Sequence, residues 1–473
     1  MKRSISFILI AFFSFLSYAE PSLQGYLEND LELQNLALEV QKAKLALKQS
    51  SIDNGIDVNL STGTAKFTFS ESGTAISLEP SVSLSVPQAM DLSFSASSEI
   101  SITMDSAAVT DTSLGISADI ISGSTITRKI ALLKAQRTLL SAKRKLQNRA
   151  LEAEKEYYTE LKNLYNTAIS IISTQTDLYD DKISFQEIQA KGYSKTSSKY
   201  RTAQLKVLSD EHEVETKIRD LEHDCFVFAS KCNTTLKDGE LPQEFLPKQI
   251  PVVDAIDIDD YPQTTYTKIE QASYDQMIAE LERQANKEFT LSLGTGYTFQ
   301  NSSSKNSSGK YNDTIDISAS SGWNGLTLGA GINLPLTQDN FDPIVQLSAS
   351  VNPNKFRTAS ITKQTDELNR RQEQITIISA IDEYKTAVVD KKQELEDIRW
   401  SKETNSQTYD MYLTLANDLK QYLDSGVITE SEYLSTFANK ESYRIKMLLD
   451  DINLIIYNNE TKLLFYRDNE IQD

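Results

Sequence analysis

The residues able to do chemistry are few, and their spacing argues against an active site. His212 and His223 are the only histidines, and they lie eleven positions apart in a charged stretch. That spacing reads as a solvated helix face rather than a ligand pair. Cys225 and Cys232 are the only cysteines. On one continuous helix a step of seven separates their Cα atoms by about 10.5 Å, beyond disulfide reach. A bridge therefore requires the helix to end between them. The run Asn233-Thr234-Thr235 fits such an end nearby, and the sequence leaves the bond open. No Ser-His-Asp order, metal-ligand spacing or glycine-rich phosphate loop occurs. The expectation is a protein that is not an enzyme and needs no cofactor or metal.

What stands out instead are two turns. Gly192, followed by Tyr193 and Ser194, and Gly426, followed by Val427 and Ile428, interrupt long runs free of glycine and proline. Turn glycines are what any antiparallel helix pair needs. After the second turn, Glu430 follows Thr429 as a helix-start carboxylate, and Glu432 comes next on the same helix.

The elements that position these turns occur twice. A first repeat spans 20–233, with strands at about 56–122 and a tip near Gly192. A connector, 234–261, carries Pro242, Pro247 and Pro251 and the acidic run Asp257-Ile258-Asp259-Asp260. A second repeat spans 262–473, with strands at about 289–351 and a tip near Gly426. Each unit is helix, strand block, very long helix, turn and returning helix, and such duplication points to a conduit.

Within the first strand block Ile76, Leu78, Val82, Leu84 and Val86 share one parity against serines on the other. Leu92, Phe94, Ala96, Ile100 and Ile102 repeat the pattern, with weaker runs at Val58 to Phe69 and Leu114 to Ile121. Phe289 to Phe299, Ile315 to Ala319, Leu326 to Leu334 and Val345 to Val351 are the second block. This is the strand period. Two readings fit it: a soluble β-sandwich with one buried face, or a membrane barrel with apolar and serine-rich faces.

The helical runs repeat in sevens. Leu31, Leu38, Leu45 and Ile52 do so before the first strands. Tyr157, Leu161, Leu164, Ala168 and Ile171 step by fours and threes, as Leu368 and Ile375, and then Ile381, Val388 and Leu395, step by sevens. That is coiled-coil periodicity. A helix of about 67 residues extends about 100 Å. Lys2 and Arg3, the apolar stretch to Leu16 and Ser17-Tyr18-Ala19 form an expected signal peptide, 1–19. No later stretch is apolar enough for a membrane helix, so any span must be made of strands. Net charge is −19, which argues against a nucleic-acid partner.

Helices leaving both sides of a strand block oblige it to contain an even number of strands, here four in each half. A lone chain would expose sheet edges to lipid, where unpaired backbone groups cost several kcal/mol each. Cyclic self-assembly removes those edges. At this point the chain resembles the TolC-like outer-membrane efflux protein family along nearly its full mature length. The order of elements carries the resemblance, with the join Gly115-Ile116-Ser117-Ala118-Asp119-Ile120-Ile121-Ser122-Gly123 running into Arg128, and the tip Tyr422 to Leu434.

The resemblance implies an α+β membrane protein in the outer membrane. In it a homotrimeric β-barrel, set in lipid, would continue into a periplasmic α-helical barrel of coiled-coil helices. It implies an exit duct for tripartite efflux or type I secretion, docking on a periplasmic adaptor and an inner-membrane RND, ABC or MFS transporter. The docking tips would be Gly192, Tyr193, Ser194, Gly426, Val427 and Ile428. Glu432 falls at an acidic pore-narrowing position, with Ser198 as its counterpart in the first repeat when the tip glycines are aligned. A solvated face is the equal alternative for Glu432. The family usually has two barrel strands per half, so two of the four here are alternatively an extracellular hairpin. The rival function is a trimeric coiled-coil surface protein anchored by a barrel, which predicts strands confined to the C-terminus.

Overall fold

The computed structural model describes residues 21–70, 73–87, 89–103, 107–234, 245–286, 289–300, 312–336 and 342–466. The expected signal peptide and the loop 301–309 lie outside the described residues, as does Pro242 of the connector. In chain order the first half holds α1 (Pro21–Glu28), α2 (Leu31–Asp53), β1 (Asp57–Ser61), β2 (Lys66–Ser70) and β3 (Gly73–Leu78). It continues with β4 (Ser81–Val86), β5 (Leu92–Ile102), β6 (Ala107–Ile121), α3 (Ser124–Ala190) and α4 (Ser198–Lys231). The second half holds α5 (Thr267–Ala285), β7 (Phe289–Gln300), β8 (Asn312–Trp323), β9 (Leu326–Pro335), β10 (Ile344–Val351), α6 (Pro353–Asp424) and α7 (Glu430–Leu463).

Two compact units form. The sheet unit comprises Gln41–Ser141 and Glu270–Ala380; the helical unit comprises the remaining stretches, including Ala142–Ile269 and Ile381–Asp473. In the sheet unit all pairings are antiparallel, and the order is β1-β4-β5-β6-β7-β8-β9-β10, with β2 on β3 and β3 on β5. Because β3 and β4 both pair with β5, they are one thread broken at Glu79-Pro80, and β1 with β2 is another. The sheet therefore has eight threads, four from each half, joined where β6 meets β7. As expected of a lone chain, the sheet does not close on itself: β1 with β2, and β10, are open edges. Eight threads from one copy end without a strand to seal them.

Alternation acts across the whole sheet. One row of paired residues reads Val58, Leu84, Phe94, Ile116, Thr295, Ile317, Ile332 and Val345. The adjoining row, which faces the other way, reads Asp57, Ser85, Ser93, Ser117, Gly294, Ser318, Gly331 and Gln346. A one-residue slip in any pair would mix the two faces. Among the described residues nothing covers the apolar face: Ile317 is 47% exposed and Leu347 80%.

The join between sheet and helix depends on Gly123. A methyl there would overlap the Ala285 carbonyl oxygen at the end of α5. Arg128, one turn into α3, pairs with Asp91 and donates to the Pro87 carbonyl at 2.9 Å, which fixes the β4–β5 turn to the helix start.

In the helical unit the 4-3 stripe of α3 is the core. Tyr157, Leu161, Leu164, Ala168 and Ile171 are all buried, and Ile171 is fully so. They pack with Leu221, Cys225, Phe228 and Ile452 of the returning helices. Tyr157 meets Tyr158 edge-on at 5.0 Å and Phe228 at 5.1 Å. The open question of the cysteines resolves against a bridge: both are buried and neither is in a disulfide. Cys225 lies within α4 and Cys232 is its C-cap, so the helix does not end early enough to bring them together. The connector wraps α7 through Asn458, which accepts from Ile256 N–H at 3.0 Å and donates to the Asp254 carbonyl at 2.9 Å.

Candidate functional site

Two features of the fold are built for a task beyond stability: the two-sided sheet and the helix tips. On the small polar face, hydroxyls pair across strands. Ser93 and Ser117 lie 2.6 Å apart, as do Ser97 and Ser113, and Asn333 donates to Asp316 at 2.6 Å. These links spend the hydroxyls laterally and leave a face of serine, glycine and a few acids. It can line water without gripping a solute.

Both tips close the long helix in the same way. The Gly192 N–H donates to the Gln189 carbonyl at 3.0 Å and Tyr193 N–H to Ile188 at 3.4 Å. Gly426 donates to Leu423 and Val427 to Tyr422, each at 2.9 Å. This is the Schellman pattern, with the glycine in the left-handed region at φ 73° and 72°. A Cβ at either glycine would meet nothing within 4 Å, so backbone conformation alone selects glycine and the turns stand free. Val427 is 70% exposed. Tyr193 takes a 3.3 Å hydrogen bond from Lys199, and Ser194 pairs with Thr196 at 2.8 Å.

The returning helices then start with caps. Ser197 accepts from Tyr200 N–H at 3.3 Å. Thr429 accepts from Glu432 N–H, while Glu432 accepts from Thr429 N–H at 3.0 Å, a reciprocal capping box. Counting from cap rather than glycine, the counterpart of Glu432 is Tyr200, not Ser198. The first tip is two residues longer, which aligning the glycines misses. Tyr200 is buried against Phe185, with ring centroids 5.1 Å apart. Glu430 sits in the first turn of α7, as its position after Thr429 suggests.

Sequence reasoning missed what lies behind the tips. Asp177, Asp180, Asp181, Asp210 and Glu213 line a cavity of about 350 Å³ between α3 and α4, with Lys206 among them. Lys206 bonds Asp181 at 2.7 Å. A hydrogen bond to Asp181, then burial, raises the Asp210 carboxyl above its ordinary value. Burial pushes Asp181 up, but bonds to Lys206 and Asp210 outweigh it and hold Asp181 low. The clue was the acidic density at Asp177, Asp180 and Asp181, but it points to Asp210 only once two helices are paired. Ser431 donates to Asp180 at 2.8 Å, and burial followed by Glu430 raises the Tyr179 phenol. Among the described residues no histidine, cysteine or carboxylate cluster is arranged to hold a metal, and no helix is long and apolar enough to cross a membrane.

Two family models match in tandem: the TP096X N-terminal domain over 23–250 and the TP096X C-terminal domain over 251–468. This chain belongs to the TP096X family. No curated protein matches it by sequence. In structure this TP096X-family chain resembles TolC-family outer-membrane channels. The Campylobacter jejuni CmeC outer-membrane channel is 11% identical, over 94% of this chain and 85% of that one, at a TM-score of 0.44. The open state of the Neisseria gonorrhoeae MtrE outer-membrane channel is 13% identical, over 94% and 89%, also at 0.44. The outer-membrane channel OprN is 11% identical, over 93% and 90%, at 0.48.

Proposed function

We propose that this chain is the protomer of a passive outer-membrane exit duct of a tripartite efflux or type I secretion system. The observation that carries the reading is the uncovered apolar face backed by a small polar face across all eight threads. In a soluble sandwich that apolar face would be buried by a second layer. In a bilayer, lipid covers it and water fills the other side. β7 and β8, 12 residues each, and β9, with 10, meet the length of about 9–11 residues that a tilted membrane strand needs.

The even thread count supports closure by identical copies. β1 and β10 run in opposite directions, so β10 of one copy meets β1 of the next as an antiparallel pair, the arrangement used throughout the sheet. A homotrimer in outer-membrane lipid, with the helices in the periplasm, fits this requirement. The free turns at Gly192, Tyr193 and Ser194 and at Gly426, Val427 and Ile428 are the surfaces offered to a periplasmic adaptor and, through it, an inner-membrane pump. Glu432, in its capping box, remains the proposed narrowing residue.

The purified protein in detergent is expected to be a trimer that passes ions across a planar bilayer. A monomer with a silent bilayer would overturn the reading.

A further inference from the structure

We propose that the slot between α3 and α7 binds a single-chain anionic amphiphile, a free fatty acid of medium length. Its carboxylate meets Arg444 and Lys248, and its alkyl chain runs toward the helix tips. The slot lies wholly within the helical unit. The inference goes beyond the duct reading and does not depend on it.

The slot holds about 650 Å³, a volume typical of small-molecule sites. On α3 its lining runs from Tyr165 to Asp180, about 22 Å at 1.5 Å per residue. Ile172 lines it from α3, and Leu434, Phe437 and Ile445 from α7. Ala168, Ser435 and Ala438 also line it and are too short to fill the space. Helix cores are normally packed without such gaps. Ser431 donates to Asp180 and Lys162 to Asn453, each at 2.8 Å, so α3 and α7 run antiparallel. Between those two contacts Arg444 falls near the level of Ala168, while Leu434 and Phe437 lie toward the Asp180 end. From Ala168 to Tyr179 the apolar stretch is about 16 Å long, room for one extended alkyl chain.

Electrostatics choose the head group. The acids at the slot are spent. Asp180 accepts from Ser431, and Glu441 accepts from Arg444 at 2.7 Å and pairs with Lys440 at 3.0 Å. Burial pushes the Glu441 carboxyl up, but bonds to Arg444 and Lys440 outweigh it and hold it low. The bases are not spent. Among the described residues Arg444 gives Glu441 its Nε–H alone, one of five donors. Lys248 is exposed at the slot, with no ion pair or hydrogen bond among the described residues. It is held at that rim because the Tyr165 hydroxyl donates to the neighbouring Pro247 carbonyl. The charge left to offer is therefore positive, in a chain of net charge −19. A guanidinium beside an ammonium suits a carboxylate through charge-assisted hydrogen bonds.

The test is photolabelling of the full chain in phosphatidylcholine nanodiscs with a diazirine-bearing dodecanoate, mapped by peptide mass spectrometry. Saturable labelling of α3 between Ala168 and Tyr179, or of α7 between Leu434 and Leu448, is expected. Unlabelled dodecanoate should displace it, and dodecyltrimethylammonium should not. Lys248→Gln with Arg444→Gln is expected to weaken binding roughly tenfold or more. Lys248→Gln alone, at an exposed position without partners, should weaken it without lowering the melting temperature. Ser435→Phe should abolish labelling by filling the slot. Labelling confined to other segments, equal displacement by the cationic amphiphile, or unchanged affinity in both charge variants would overturn the site. Labelling lost when phosphatidylglycerol replaces phosphatidylcholine would assign the slot to a membrane lipid and overturn the free acid as its occupant. A trimeric, conducting protein that fails these tests leaves the duct reading standing.

Discussion

Glu432 accepts from both the backbone N–H and the hydroxyl of Thr429, at 3.0 and 3.1 Å. The residue proposed to narrow a pore is thus also the residue that starts its helix. The two roles separate by substitution. Thr429→Ala removes the cap and is expected to cost about 1 kcal/mol, seen as lower thermal stability with unchanged ion selectivity. Glu432→Gln keeps an acceptor for the cap but removes the charge. If it leaves the cation preference of single channels unchanged, Glu432 is a cap and nothing more.

The two faces of the sheet should respond oppositely to one charge. Ile317→Lys sets an ammonium on the apolar face and is expected to cost about 2–4 kcal/mol if that position lies at the bilayer midplane, read as loss of protein from the outer-membrane fraction. Ser318→Lys, one residue on, should insert normally and shift the channel toward anions. Equal insertion defects in both variants would refute the two-faced reading.

Acid behaviour should centre on the first hairpin. The raised Asp210 carboxyl favours folding while protonated. That contribution is full below the ordinary aspartate value of about 3.9 and is lost as pH rises through the raised value. The lowered Asp181 works in the other sense, its contribution being present above its ordinary value and lost as pH falls. Asp210→Asn should therefore raise melting temperature relative to wild type increasingly as pH climbs from about 4 to 7. A gap that does not change with pH would show that the two carboxyls do not share a proton.

Burial pushes both thiols up to about 12. Since the thiolate is the reactive form, maleimide should label neither Cys225 nor Cys232 in the folded chain, and both after denaturation without reductant. Labelling of only one after denaturation, or of none, would contradict the absence of a disulfide.

The sequence exposed the sheet more fully than the site. Strict alternation from Phe289 to Phe299 or Leu326 to Leu334 has one structural solution, so those strands lie where the period puts them. The heptads were less decisive. The same spacing is buried at Leu161 and Ala168 and bare at Leu45 and Leu368, because periodicity tells that a helix has an apolar side but not which chain covers it. At the tips, Gly192 and Gly426 were legible from their isolation. The two extra residues after Gly192 were not, since polar loop residues such as Lys195 and Thr196 have no period to count by. Asp181 and Asp210 stayed hidden because each is an ordinary surface acid until α3 and α4 pair.

The sheet's even number of threads has a further consequence. Among the described residues α2, α3, α5 and α6 all meet the sheet at one end, together with the β4–β5 and β8–β9 turns. If the sheet crosses a bilayer, one side of that bilayer then meets strand ends and none of the described helices.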